Sequence, residues 1–460
     1  LLPFIVLIAT QIGVIRAFGA DALGGPSQAA LLFAAGITIA FCILHYGIGW
    51  KTLENAILDN IRSIGGAVLI LLMIGAVAGS WMVSGVVPLL MYYGLKILTP
   101  SIFLFATCII CALVSLVTGS SWSTIATIGV AFIGIGMALG YSAGWTAGAI
   151  ISGAYFGDKI SPLSDTTVLA SSVNDTPLFT HIKYMMITTV PSMTITCLIF
   201  LIVSLTHGAT AEVQTAEFSE ALRTGFNLSP WLLIVPVLTG FLIAKKVPAL
   251  ATLFVSALAA GVAALIAQPE LVASIGEGSA FHGLMTIFCS STAVDTGFAE
   301  LNSLVETGGM TGMLDTIFLV LCAATFGGAL TGSGMMAALT QALTRRISSR
   351  TSMVSATVGA GIFSNLVTGD QYLSILLTSS MFKDLYKEKG YEGRLLSRSA
   401  EDSATVTSVL IPWNSCGMTQ STVLKVPTLE YLPFCFFNII SPLMSITVAA
   451  LGYKIFRKEN

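Results

Sequence analysis

Two aspartates flank a proline in the segment Gly157-Asp158-Lys159-Ile160-Ser161-Pro162-Leu163-Ser164-Asp165-Thr166-Thr167. Carboxylates, hydroxyls and the carbonyls freed where a proline interrupts a helix are all hard oxygen donors. Together they form the shell that a small hard cation prefers. The same carboxylates bind a proton when neutral, so a cation and a proton compete for one place. Asp165 is the first choice for that exchangeable group and Asp158 the second, with Ser161, Ser164, Thr166 and Thr167 supplying further oxygens. A helix beginning near Ser164 aims its positive end at the same point, which suits the Asp165 carboxylate or a bound anion. Lys159, next in sequence to Asp158, is expected to share the site.

The elements that position this cluster are apolar. Residues 145–156 and 168–173 are each too short to span a bilayer, and together they suit one broken crossing. A break at membrane depth is tolerated only where the freed backbone faces protein or a water-filled cavity. The chain makes this break twice. Leu116-Val117-Thr118-Gly119 recurs as Leu366-Val367-Thr368-Gly369, an offset of 250 (366 − 116), and Pro412 repeats Pro162 at the same offset. Thr118, Gly119, Ser120, Ser121 and Ser123 read as the tip of one helical hairpin, about 101–139. Ser364, Asn365, Thr368, Gly369, Asp370 and Gln371 read as the tip of a second, about 351–382. Thr118, Ser120 and Ser121 would close the ion shell, and Asp370, Asn414 and Ser415 would form a pseudo-symmetric half. Asp402 is a further proton-coupling candidate, although Glu401-Asp402 also suits a cytoplasmic helix start. His181 reads as an interfacial polar residue. Cys108 and Cys111 lie among Leu, Ile, Val and Ala, and read as small packing residues rather than metal or redox ligands.

Hydrophobic residues make up 55% of the chain and charged residues 10%, with mean hydropathy +0.88. Most of the surface must therefore face lipid or protein. Apolar runs fall at 28–46, 64–82, 182–205, 230–244, 250–267, 314–330 and 431–453, and 1–18 reads as a first span rather than a signal peptide. The fold class is an all-α polytopic membrane protein. A net charge of −2 without a basic patch excludes nucleic acid as a partner.

Basic residues set the orientation. Arg345, Arg346 and Arg350 precede the second hairpin, and Lys383, Lys387, Lys389, Arg394 and Arg398 follow it, so it is expected to start and end in the cytoplasm. Residues 97–157 contain no Asp, Glu, Lys or Arg, so the first hairpin is expected to start and end outside. Lys51, Arg62, Lys183, Lys245, Lys246, Lys454, Arg457 and Lys458 fall inside under one alternation, with Lys96 as the exception. The acidic stretch 207–226 becomes an external loop and 383–402 a charged cytoplasmic one. The 268–312 stretch holds either one more helix or a re-entrant piece. The two repeats are thus expected to be inverted, an arrangement that places a central site between broken helices.

In a membrane chain such a duplication is a common signature of a secondary transporter. An intramembrane aspartyl protease fails because Tyr155 and Val367 stand three residues before Asp158 and Asp370, where its Gly-x-Gly-Asp pattern needs Gly, and no His-Glu-x-x-His motif occurs. A channel would not need two inverted broken repeats, and no P-loop or soluble nucleotide domain supports a primary pump.

The 157–167 segment, followed by Asn174-Asp175-Thr176-Pro177-Leu178-Phe179-Thr180-His181-Ile182, resembles the signature of the NhaC-type sodium/proton antiporters, within the wider ion-transporter superfamily. The resemblance covers nearly the whole chain. It implies a scaffold domain and a transport domain that moves elevator-fashion. The corresponding boundaries are 1–100 for scaffold helices, 101–181 for hairpin and broken helix, 182–345 for scaffold and linking helices, 346–425 for the second hairpin and broken helix, and 426–460 for a final scaffold helix. It further implies Na+ and H+ as transported ions, no cofactor, a multi-pass location in the bacterial inner membrane among lipid, and a homodimer as an open assembly. The family also holds sodium-lactate/malate-proton exchangers, and related members are assigned to amino acids. A small organic anion is therefore the alternative cargo, for which Lys159, Asn365, Gln371 and Asn414 are a thin set of binding groups.

Overall fold

The computed structural model describes residues 2–18, 24–206, 212–245, 247–335, 338, 347 and 349–456. These residues are helical almost throughout, and the single extended pairing among them is a bridge between Thr292 and Thr307. Seven of the described helices are long and apolar enough to cross a membrane, or up to ten if each of three bent pairs is one span. Large apolar side chains such as Leu198, Ile202, Leu205, Phe254 and Ile266 stand exposed along them, which only a lipid surrounding accommodates. The chain is a multi-pass membrane protein.

The apolar runs of the sequence fall on Leu2–Phe18, Pro26–Tyr46, Gly65–Val83, Leu178–Thr206, Ala249–Ala267 and Thr311–Gly332. The run at 230–244 meets the helix Thr215–Gly225 at 93°, and the run at 431–453 divides into Thr428–Phe434 and Phe436–Leu451 at 55°. Two expected loops are instead largely helical. Within 207–226 a helix covers Glu212–Gly225, while residues 207–211 lie outside the described residues. Within 383–402 one helix runs to Glu388 and the next begins at Gly393. Buried Tyr386, Leu395 and Leu396 give these charged helices an inner apolar face. The 268–312 stretch holds two short helices, Pro269–Ile275 and Ala280–Cys289, bent by 76°, followed by Ala299–Val305.

The repeated sequence is a repeated structure. Phe103–Thr118 turns at Gly119 into Ser121–Ala138, and Arg350–Thr368 turns at Gly369 into Gln371–Glu388. Both turns need a positive φ, +68° and +64°, which glycine adopts without strain. The tips share one geometry. Thr118 Oγ1 accepts from the Ser120 amide and Thr368 Oγ1 from the Asp370 amide, each at 3.2 Å. Ser120 then caps its helix by accepting from Ser123, and Asp370 by accepting from Leu373. The first broken helix is Ala143–Ile160 followed by Asp165–Val173. The second starts with Gly393–Ala400, passes through a π turn at Glu401–Thr405 and a tight turn at Ser408–Leu410, and resumes as Ser415–Leu424.

Each hairpin is tied to its own broken helix by matching bonds. Ser115 donates to the Ala154 carbonyl and, 250 residues on, Asn365 donates to the Ala404 carbonyl, both at 2.6 Å. Ser161 donates to the Leu116 carbonyl and Trp413 to the Leu366 carbonyl, both at 2.8 Å. In the first copy the backbones touch. A Cβ on Gly153 or Gly157 would lie 2.1 Å from the Cys108 carbonyl oxygen or 2.2 Å from that of Ala112. Cys108 and Cys111 are buried free thiols along this contact.

Two long helices measure where the hairpins open. Near the end of Leu178–Thr206, Ser204 accepts from the Leu104 amide at the base of the first hairpin, at 3.1 Å. Near its start, Tyr184 donates to the Lys454 carbonyl and stacks beneath Arg398, beyond the second hairpin. Phe436–Leu451 behaves alike. Phe434, in the turn just before it, packs on Gly144 and Gly148, just past the first hairpin, and its last carbonyls, Ala449 and Ala450, accept from Arg350 at the base of the second. Arg345, Arg346, Lys246, Arg457 and Lys458, which entered the orientation reading, lie outside the described residues.

Because the neighbour at Gly157 is rigid backbone, Gly157→Val is expected to destabilise the protein by roughly 1–3 kcal/mol or more. Gly36→Ala, with nothing within 4 Å, should change little. Thermal loss of the monodisperse peak in detergent checks this, and equal melting of the two variants would contradict the close contact.

Candidate functional site

A cavity of about 440 Å³ lies against the first tip and the first break. One wall carries Thr118, Ser120, Ser123, Asp158, Ser164, Asp165 and Thr166, joined by Trp122, Gln371 and Tyr372. The facing wall comes from Ser63–Ile70 residues and from the 239–253 stretch. The site is thus built between the hairpins and broken helices on one side and, on the other, Gly65–Val83, Ile234–Ala244 and Ala249–Ala267 with the end of Trp50–Ser63.

The two aspartates are held differently. Asp158 ends a helix that packs tightly through Gly153 and Gly157, and its side chain is buried. Its Oδ2 accepts from the Ser121 hydroxyl at 2.7 Å and the Ser121 amide at 3.0 Å. Both donors come from the start of a helix, where a negative charge is favoured. Asp165 is the first residue after the N-cap Ser164, and it is exposed in the cavity. Among the described residues nothing bonds or pairs with its carboxylate. Ser164 and Thr166 share a hydrogen bond at 2.9 Å beside it, leaving oxygen lone pairs toward the cavity. One carboxylate is fixed by donors and the other is free to meet a cation, so the pair can supply charge without a local cation. Among the described lining residues there is no Lys or Arg.

The other residues singled out in the sequence take different places. Ser161 and Thr167 hold the break itself, bonding the Leu116 and Lys159 carbonyls. Asp370 and Ser415 meet at the second tip, where Asn414 bonds Asn365, and none of the three lines the cavity. Ser415 donates to Asp370 Oδ2 at 3.4 Å, its amide donates to the Gly369 carbonyl at 2.7 Å, and Asn414 donates to the Asn365 carbonyl at 3.2 Å. Of the groups considered for an organic anion, only Gln371 lines the cavity.

Lys159 departs from its expected place. It is wholly buried behind the break, where its ammonium bonds Asp402 and, at 3.0 Å, Ser441. Consecutive residues of a helix project about 100° apart, so Asp158 and Lys159 face opposite regions. Asp402 is not at a helix start; it lies inside the second broken helix, fully buried, and also accepts from Thr188 at 3.1 Å. Arg398, read as a loop charge, is equally buried beside it. His181 is buried rather than interfacial, 2.8 Å from the Ser397 hydroxyl. Tyr372 and Trp122 were missed as lining residues. Their position directly beside the tip residues Gln371 and Ser121 was the available signal.

Comparison with known proteins gives these residues a context. A family model described as the Na+/H+ antiporter family matches residues 2–172 and 153–453. The chain is 38% identical over 431 residues to the Na(+)/H(+) antiporter NhaC of Alkalihalophilus pseudofirmus, covering 92% of each. It is 35% identical over 419 residues to the Na(+)/H(+) antiporter NhaC of Bacillus subtilis, covering 91% of each. It is also 35% identical over 437 residues to the Malate-2H(+)/Na(+)-lactate antiporter of Bacillus subtilis, covering 95% of this chain and 91% of that one.

The exposure difference is testable by thiol labelling. In a background with the exposed Cys289 replaced by Ser, Asp165→Cys should react quickly with a small charged methanethiosulfonate and Ser415→Cys slowly. Equal rates would show that water does not reach Asp165 through this cavity.

Proposed function

This chain belongs to the Na+/H+ antiporter family, and from that premise we propose that it exchanges Na+ for H+ across the bacterial inner membrane by alternating access. The observation that carries this reading is the free carboxylate of Asp165 in a cavity whose second carboxylate, Asp158, is braced by Ser121. Na+ binds the ionised pair, with Ser164, Thr166, Thr118 and Ser120 supplying oxygens. Protonation removes the charge that attracts Na+, so each side of the membrane loads one ion in place of the other. Transport requires no cofactor and no nucleotide.

We read the two copies as inverted repeats. Support comes from the shared offset of their element boundaries and from the two long helices, whose opposite ends meet the bases of the two hairpins. We further read an elevator, because the cavity lies at the junction between the hairpin body and the 63–70 and 239–253 helices. The sequence boundaries put 182–206 and 426–460 with the scaffold. Buried bonds into the broken helices favour placing both with the moving body instead: Thr188 to Asp402, Asn438 to the Val406 carbonyl, and Tyr431 to the Val409 carbonyl.

The size of the cavity favours a second reading, in which a small organic acid travels with the ions. About 440 Å³ exceeds what one Na+ needs, and Gln371, Tyr372 and the helix start at Asp165 offer polar contacts. The absence of a basic lining residue among those described weighs against a dicarboxylate, so simple ion exchange is preferred.

In vesicles containing a pH dye, a Na+ jump alone is expected to move protons, and Asp165→Asn to abolish that movement while the protein stays folded. Wild-type exchange in Asp165→Asn would remove Asp165 from the mechanism. A wild type that moves protons only with added lactate or malate would establish the second reading.

A further inference from the structure

Behind the breaks, on the side away from the cavity, the two copies are joined by a buried cluster of four charged side chains. Lys159, Arg398, Glu401 and Asp402 are each wholly buried. Lys159 bonds Asp402, and Arg398 Nε stands 3.9 Å from the other oxygen of the same carboxylate, with its guanidinium over the Tyr184 ring at 4.6 Å. Two cations therefore share one ionised carboxylate. Among the described residues neither oxygen of Glu401 has a hydrogen-bond partner, and neither does the Thr405 hydroxyl one turn on.

A purely structural ion pair would pair its charges, and this cluster does not. An ionised Glu401 without a donor would bear a heavy desolvation cost. The cluster nevertheless lacks one negative charge against Lys159 and Arg398, which an ionised Glu401 would supply. Both states of Glu401 therefore have a local reason to exist. Glu401 also opens the π turn at Glu401–Thr405, a wide turn that can shift register more readily than regular helix. Lys159 follows Asp158 in the chain, so a displacement of one moves the other.

Among the described residues, the charges that act on Glu401 include Lys159, Asp158 and Asp402. Phe436–Leu451 brings no charge to the π turn. Arg350 is held at the Ala449 carbonyl, Lys383 at Asp175, and Asp165 in the cavity. Asp384, Lys387 and Glu388 are exposed. His181 bonds Ser397.

We propose that Glu401 is a proton-carrying site of the exchange, separate from the cavity carboxylates where Na+ binds. The inference rests on the exchange reading above. Loading forms one O–H bond at a Glu401 oxygen with a proton taken from water on one side, and release returns that proton to water on the other. No electrons move.

The test compares protons moved per Na+ in vesicles, using opposed Na+ and pH gradients to find the balance point, together with Na+ binding in detergent. The wild type should move more than one proton per Na+. Glu401→Gln should bind Na+ within about threefold of wild type while its ratio falls by one proton. Glu401→Asp should keep the full ratio and shift the pH profile of transport, which serves if the Gln variant does not fold. A wild-type ratio of one, an unchanged ratio in Glu401→Gln, or an unchanged pH profile in Glu401→Asp overturns the proposal. No Na+-driven proton movement in the wild type would instead be a failure of the exchange reading itself.

Discussion

A helix broken inside a bilayer leaves backbone amides and carbonyls that lipid cannot satisfy, and everything central in this protein follows from meeting that demand. Each break is met by the tip of a hairpin from the same copy. Hairpin residues Ser115 and Asn365 donate to the broken-helix carbonyls of Ala154 and Ala404, and the Ser415 amide at the second break donates to the Gly369 carbonyl of the tip. Satisfying the break brings hydroxyls, a helix start and a carboxylate to one point. The chemistry of the cavity is thus a consequence of how the break is stabilised.

The two copies solve the same problem with different charge. At the first tip a serine, Ser121, donates to an aspartate on the broken helix, Asp158. At the second the roles reverse, and Ser415 on the broken helix donates to Asp370 on the tip. Both tips reach the cavity, the second through Gln371 and Tyr372, but only the first copy brings carboxylates to it, Asp158 and Asp165. The scaffold is duplicated, while the cavity carboxylates Asp158 and Asp165 stay on one side and the buried cations of Lys159 and Arg398 on the other. That separation lets one broken helix carry a carboxylate to the cavity and an ammonium to the second copy, through two consecutive residues.

Much of this was legible in the sequence because its signals are local. Apolar runs gave the spans to within a few residues, the repeated Leu-Val-Thr-Gly marked both tips, and Pro162 and Pro412 marked both breaks. Asp158 and Asp165 stood out as the ionisable pair, and both line the cavity. What was lost was direction. Lys159 adjoins Asp158 in sequence, yet a helix turns it to the opposite face, so adjacency misled. Arg398, Glu401 and Asp402 lie in a charged stretch that hydropathy reads as a solvated loop. Composition cannot distinguish a solvated charge from one paired across 243 residues, as Lys159 and Asp402 are. Likewise Ser415 bonds Asp370 and Asn414 bonds Asn365 at the second tip, pairings that residue type alone does not disclose.

The central claim is that Na+ and H+ compete for one carboxylate site around Asp165. Its most direct test is Na+ binding to the purified protein across a pH series in weakly buffered detergent, with released protons measured at the same time. Competition predicts proton release that saturates with Na+, and a Na+ affinity that weakens about tenfold for each unit of falling pH below the site's titration. A Na+ affinity independent of pH, with no proton released on binding, would contradict the account.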